Sequence, residues 1–80
     1  VPEVRLFAQA RDAAGTSSVR VEGSTVAQVL DALVEEVGPV MAEVVGICKV
    51  WVNGEPSDPE APVGPQDEVA LLPPVSGGCG

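Results

Sequence analysis

The chain has eighty residues, twelve acidic against four basic, and a formal net charge of −8. Nucleic acid and anionic membranes would repel that charge and are excluded as partners; a protein with a basic patch fits better. Eighty residues make one small domain that buries only roughly 60–65% of its unfolded surface, so a single core is the limit.

Hydrophobic residues are 45% of the chain, with one Phe, one Trp and no Tyr, which predicts an aliphatic interior of Val, Leu and Ala. The most apolar region, Met41 to Val52, is broken by Glu43 and Lys49 and is too short to span a bilayer. The N-terminus lacks a basic segment followed by a long apolar one, so the cytoplasm is the expected compartment. Two cysteines, Cys48 and Cys79, are too few for a disulfide scaffold.

Val4, Leu6 and Ala8 alternate with Arg5, Phe7 and Gln9, the period of a half-buried strand. Asp12 to Thr16 supplies a turn, and a second strand places Val19 and Val21 inward and Ser18 and Arg20 outward, closed by Gly23. Together they predict a hairpin. Thr25 with Gln28 three residues on matches a capping box; Val26, Val29, Leu30, Leu33, Val34 and Val37 then recur at helical spacing until Gly38-Pro39. Val40 to Gly46 admits two readings, a short helical turn on the core or an irregular segment.

Ile47 to Val52 reads as a third strand, with Cys48, Val50 and Val52 on one face and Lys49 and Trp51 on the other. Asn53-Gly54 is a turn signal. The proline-rich stretch Pro56 to Pro65 reads as a surface loop with room for one short edge pairing. Glu68 to Leu72 is the final strand. A helix between two strand pairs covers one face of a mixed sheet, an α+β domain over residues 1–72.

Beyond it, residues 73–80 read as a flexible tail, Pro73-Pro74-Val75-Ser76-Gly77-Gly78-Cys79-Gly80. The prolines cannot continue a central ladder, and the glycines are slim enough for a narrow channel. Eight extended residues reach roughly 25 Å, far enough to enter another protein's active site.

An independent enzyme is not expected. The chain has no His, no C-x-x-C, no H-E-x-x-H, no G-x-S-x-G and no phosphate-cradling glycine loop. Glu35 and Glu36 point in different directions on a helix and read as solvated surface.

The element order, Val52-Asn53-Gly54-Glu55, and the run Asp67-Glu68-Val69-Ala70-Leu71-Leu72 followed by Pro-Pro-Val-Ser-Gly-Gly resemble the β-grasp, ubiquitin-like sulfur carriers of the MoaD/ThiS family. Within it they are most like the small subunit of molybdopterin synthase. The resemblance implies a β-grasp sheet of four to five strands with one main helix on one face. It implies a carrier, not a catalyst, whose C-terminal carboxylate at Gly78 is adenylated by an E1-like enzyme using ATP and magnesium. A persulfide donor then makes a thiocarboxylate. No cofactor bound by this chain is expected. Gly77 and Gly78 would carry this chemistry, and the sulfur would go to molybdopterin through the large synthase subunit. Cysteine, thiamine and thio-containing secondary metabolites remain alternative destinations. A ubiquitin-like modifier conjugated through Gly78 is the alternative of another class, and an interaction module with an inert tail a third.

Cys79-Gly80 departs from the family pattern, because Gly78 then has an amide where adenylation needs a carboxylate. A precursor is implied, trimmed at Gly78, Cys79 and Gly80 by a zinc metallopeptidase of the JAMM type. A persulfide on Cys79 is a weaker rival, since no basic residue beside it lowers its pKa. Cys48 reads as a small buried hydrophobe.

Strand phase also predicts a binding face of Arg5, Phe7, Arg20, Lys49, Trp51, Ala70 and Leu72, continued by Pro73, Pro74, Val75 and Ser76. It gathers both aromatics and three of the four basic residues. The expected state is a monomer alone and a hetero-oligomer in function.

Overall fold

The computed structural model describes residues 1–73. Among these, five strands form one mixed sheet and three helices cover one of its faces. The strands are β1 (Glu3–Leu6), β2 (Ser18–Arg20), β3 (Lys49–Val52), β4 (Glu55–Pro56) and β5 (Glu68–Leu72), in sheet order β2-β1-β5-β3-β4. β1 and β5 run parallel at the centre, and the remaining pairs are antiparallel. This is the mixed sheet and covering helix that the sequence pattern implies.

The core follows from alternation. Val4, Leu6, Val69 and Leu71 point to the helices and are at most 2% exposed. They meet Ala10 of α1 (Ala8–Ala14), Val26, Val29 and Leu33 of α2 (Val26–Val37) and Met41 of α3 (Pro39–Ile47). Burying each Val or Leu fully is worth about 1.5–3 kcal/mol, and the two central strands supply four of them.

α2 begins as its sequence dictates. The Thr25 hydroxyl accepts from the Gln28 N–H at 3.2 Å, and the Gln28 side chain reaches back to accept from the Ser24 N–H at 2.8 Å. The long loop then provides for the other free donors at this helix end. Val26 N–H donates to the Ala61 carbonyl at 3.0 Å and Ala27 N–H to the Pro59 carbonyl at 2.8 Å. So the proline-rich stretch is tied down: it holds the helix start, and the bond from Val63 N–H to the Ser24 carbonyl at 2.8 Å closes the contact. Gly23 sits beneath this junction, where a Cβ would lie 2.7 Å from Val29.

Two expectations are corrected and one open choice, that of Val40 to Gly46, is settled as helix. The first strand ends at Leu6, and Ala8 to Ala14 is a helix where continued strand and a turn are expected. Ala counts as apolar in a period-2 pattern yet has the highest helix propensity, and Ala-Gln-Ala-Arg-Asp-Ala-Ala is rich in it. Gly15 at φ 74° closes this helix, its N–H donating to the Arg11 carbonyl. β1 and β2 therefore pair antiparallel across a helix, not a tight hairpin.

Second, Pro39 to Ile47 is a full helix with Pro at its first turn, where proline's missing N–H costs nothing. Third, Ile47 closes that helix and Cys48 is its cap, so β3 starts at Lys49. Asn53 at φ 52° and Gly54 at φ 85° make the primed turn expected of this pair, linking β3 to the short edge strand β4.

Candidate functional site

β5 places the last described residues. It lies between β1 and β3 with Val69 and Leu71 fully buried, so the chain leaves the sheet at Pro73 from a rigid central strand. Pro74, Val75, Ser76, Gly77, Gly78, Cys79 and Gly80 lie outside the described residues.

Around this exit the sheet face away from the helices carries ordered rows. Register aligns Arg5 with Ala70 and Ala70 with Trp51, and extends at the edges to Ser18 on β2 and Pro56 on β4. Lys49 pairs with Leu72, and Phe7, extended and one residue beyond the Leu6–Leu71 pair, continues that row. Phe7 is 41% exposed, Arg5 and Lys49 are exposed, and Trp51, Ala70 and Leu72 are half-buried. Phe7, Leu72 and Lys49 thus surround the exit, with Arg5 and Trp51 one row behind.

Arg20 shares the face but not the neighbourhood. It pairs with Glu3, which pairs with Glu68, four residues upstream of Leu72 or about 13 Å at the strand rise. Strand phase also places Glu3 and Glu68 on this face, so it is more mixed in charge than its basic residues alone suggest. Arg5 Nη1 lies 3.1 Å from Glu68 Oε2, an exposed pair worth about 0.2–1 kcal/mol. Both acids are visible in the alternation of β1 and β5, and the sequence reading did not count them.

A second polar feature at the opposite end of β5 escaped sequence reasoning. The Asp67 carboxylate accepts from the Gly64 N–H at 2.8 Å and from the Asn53 side-chain amide at 3.0 Å. The Asn53 carbonyl oxygen in turn accepts from the Glu68 N–H at 3.0 Å. The Gly64 bond first, then that of Asn53, holds the Asp67 carboxyl below its usual value. These bonds fix the β3–β4 turn to the start of β5, a structural role.

Cys48 is half-buried, less enclosed than the sequence reading expects, and burial pushes its thiol up from the ordinary cysteine value. It lines an open, mainly apolar groove beside β3 with Leu30, Val45, Lys49, Trp51 and Pro56. Among the described residues no group of three or more His, Cys, Asp or Glu could hold a metal ion, and no helix is long and apolar enough to cross a membrane.

A mixed β-grasp sheet whose central strand feeds a Pro-Pro and Gly-Gly terminus defines a ubiquitin-like carrier class. The ThiS family pattern matches residues 4–78, and the chain belongs to that family. It is 37% identical over 79 residues to the molybdopterin synthase sulfur carrier subunit of Arabidopsis thaliana, covering 95% of this chain and 81% of the relative. SAMP1 of Haloferax volcanii superposes with a TM-score of 0.86 at 37% identity, over 96% of this chain and 98% of that one. A chain of the BexX/CysO complex of Amycolatopsis orientalis superposes with a TM-score of 0.83 at 27% identity, over 98% and 100%. The protein is therefore a small sulfur carrier of the MoaD/ThiS type.

Proposed function

We propose that this chain carries sulfur as a thiocarboxylate on Gly78, after removal of Cys79-Gly80, and delivers it for molybdopterin synthesis. The observation that carries the reading is the position of Gly77-Gly78. In sequence they follow the core-anchored central strand β5 after the short spacer Pro73 to Ser76, and neither carries a side chain. The name of the Arabidopsis relative, at 37% identity, supports the destination.

The chemistry divides between this chain and its partners. A carboxylate is a poor electrophile; an E1-like enzyme with ATP and magnesium joins it to AMP, releasing pyrophosphate. The sulfur of a persulfide then attacks the acyl carbon, AMP leaves, and a reductant frees the thiocarboxylate. Within the active sites of both partners Gly77 and Gly78 contribute only their small cross-section. Phe7, Leu72 and Lys49 at the exit, with Arg5 and Trp51 behind them, dock the body against the activating enzyme and the large synthase subunit in turn. Arg20 touches the rim. A JAMM-type metallopeptidase exposes the Gly78 carboxylate first. The chain works in the cytoplasm as a monomer that pairs with different proteins.

Similarity to SAMP1, a small archaeal modifier protein, favours a second reading, in which Gly78 forms an isopeptide bond to a lysine. The BexX/CysO likeness keeps another sulfur acceptor open. The first reading is tested by presenting the full chain, and a chain ending at Gly78, to the activating enzyme with ATP. Pyrophosphate release from the shorter chain alone is expected. Equal release from the full chain would refute the trimming step, and none from either would refute activation.

A further inference from the structure

We propose that the trough between α2, α3 and the outer edge of β3 holds a basic amphipathic helix of another protein. The inference goes beyond the carrier reading and does not depend on it. Two open hollows form the trough. One, of about 460 Å³, is lined by Leu30, Asp31, Val34 and Glu35 of α2 and by Ala42 and Val45 of α3. The other, of about 650 Å³, is the groove beside Cys48, and Leu30 and Val45 line both. β4 is two residues long and pairs with Trp51 and Val52, so the second hollow opens beside the start of β3.

The floor is apolar and the rim is acidic. Leu30, Val34, Val45, Cys48 and Val50 are half-buried, packed against the core on one side and uncovered on the other. α2 carries Asp31, Glu35 and Glu36 and no basic residue; α3 carries Glu43 and none. Asp31 and Glu35 are exposed, and among the described residues the ion pair present joins Arg5 to Glu68, so no cation of the body answers them. Glu35 also stands in the last turn of α2, where the helix dipole is negative and a carboxylate is unfavourable. Held there with no cation beside it, Glu35 weakens the free protein. A lysine or arginine arriving from outside removes that penalty.

Charge rules out a second copy as the occupant, since each chain carries −8 and the acids of two α2 helices would meet. An extended segment laid over α2 and α3 would leave its N–H and C=O groups against helices whose own backbone is already paired. A helix arrives with those groups satisfied. The occupant therefore sets aliphatic side chains at i, i+3 or i+4 and i+7 on the floor, with Lys or Arg on the flank toward α2. Lys49 at the sheet end fixes its direction, because the basic flank lies over Asp31 and Glu35 while the end near Lys49 is neutral or acidic. Bound this way, the partner grips the helix layer and leaves the outer face around Arg5 and Phe7 uncovered.

Titrating the full chain with a synthetic peptide of about 18 residues, long enough to be helical alone, with leucines on one face and lysines along one flank, tests this. Binding with a dissociation constant below about 1 mM is expected. Emission of Trp51, the only tryptophan, should change, and alkylation of Cys48, read by peptide mass, should slow. The same peptide with glutamates for lysines should bind at least about tenfold more weakly. The lysine peptide should lose as much affinity for the chain carrying Asp31→Lys with Glu35→Lys, and for Ala42→Gln, which fills the trough from an exposed helical position. Glu35→Lys alone should raise the melting temperature of the free chain by a few degrees, which loss of a carboxylate needed by the fold would not do. Phe7→Ala on the outer face should leave peptide affinity unchanged. Absence of binding, equal affinity for the two peptides, or affinity that survives the paired lysine substitutions would overturn the inference. So would a loss at Phe7 matching that at Ala42, or a melting temperature that does not rise with Glu35→Lys. Each of these failures leaves adenylation of the chain ending at Gly78 unaffected and is distinguishable from failure of the carrier role.

Discussion

Asp67 shows how one side chain joins two distant parts of the sequence. Its carboxylate takes the Gly64 N–H and the Asn53 amide, and Asn53 takes the Glu68 N–H, so a turn and a strand start share one set of bonds. Those bonds favour the charged form and lower the folded pKa, which fixes the sign of the pH dependence. The contribution is complete above the unfolded carboxylate value of about 3.9 and is lost as pH falls through the lower folded value. Urea unfolding followed from neutral to acid pH should show stability declining across that window. Asp67→Asn should make the decline shallower; an identical pH profile would show that Asp67 is uncoupled from folding. Sequence alone marks Asn53-Gly54 as a turn because its two residues must accept positive φ. That Asn53 also reaches Asp67 depends on β3 and β5 being neighbours, which no local signal encodes.

At the scale of elements, the rules that worked are those whose cause is local. The Thr25–Gln28 spacing starts α2 where the hydroxyl meets the Gln28 N–H, and Gly38-Pro39 ends it. Thr25→Ala should cost about 0.5–2 kcal/mol, read as a fall in melting temperature of about 4–8 °C per kcal/mol for a domain this size. No change would mean that Ala61 and Pro59 alone hold this helix end. α1 was illegible for a physical reason: Ala8 and Ala10 satisfy a strand's alternation as well as a helix's stripe, and Ala10 is buried because α1 packs on α3 and on the central strands β1 and β5. Its start carries a further cost the sequence does not announce, Ala8 at φ 49°. The pairing of β4 with β3 and the Thr25–Pro62 bridge convert a proline-rich loop into a brace for α2. Composition marked that loop as surface, and only the helix's free N–H groups explain why it is held.

The whole molecule is a compact aliphatic body with a central strand that ends at the surface. Alternation in β1, β3 and β5 made the outer face readable before the sheet order was known, because phase assigns sides without assigning neighbours. Order was needed to see that Phe7, Leu72 and Lys49 ring the exit while Arg20 stands apart and Glu68 holds Arg5. Partners that receive the tail should therefore feel the near rows most. Lys49→Glu and Trp51→Ala should each weaken binding to the activating enzyme at least about tenfold, or about 1.4 kcal/mol, with circular dichroism unchanged. Arg20→Glu should have the smaller effect, and an equal effect from all three would dissolve the distinction.

Every step of the carrier account requires a terminus at Gly78 that gains and loses sulfur. The most direct measurement is the intact mass of the protein recovered from its own cells. Chain ending at Gly78, part of it heavier by the exchange of one oxygen for sulfur, is the predicted result. Material that uniformly retains Cys79-Gly80, or that occurs as conjugates to other proteins, would contradict it.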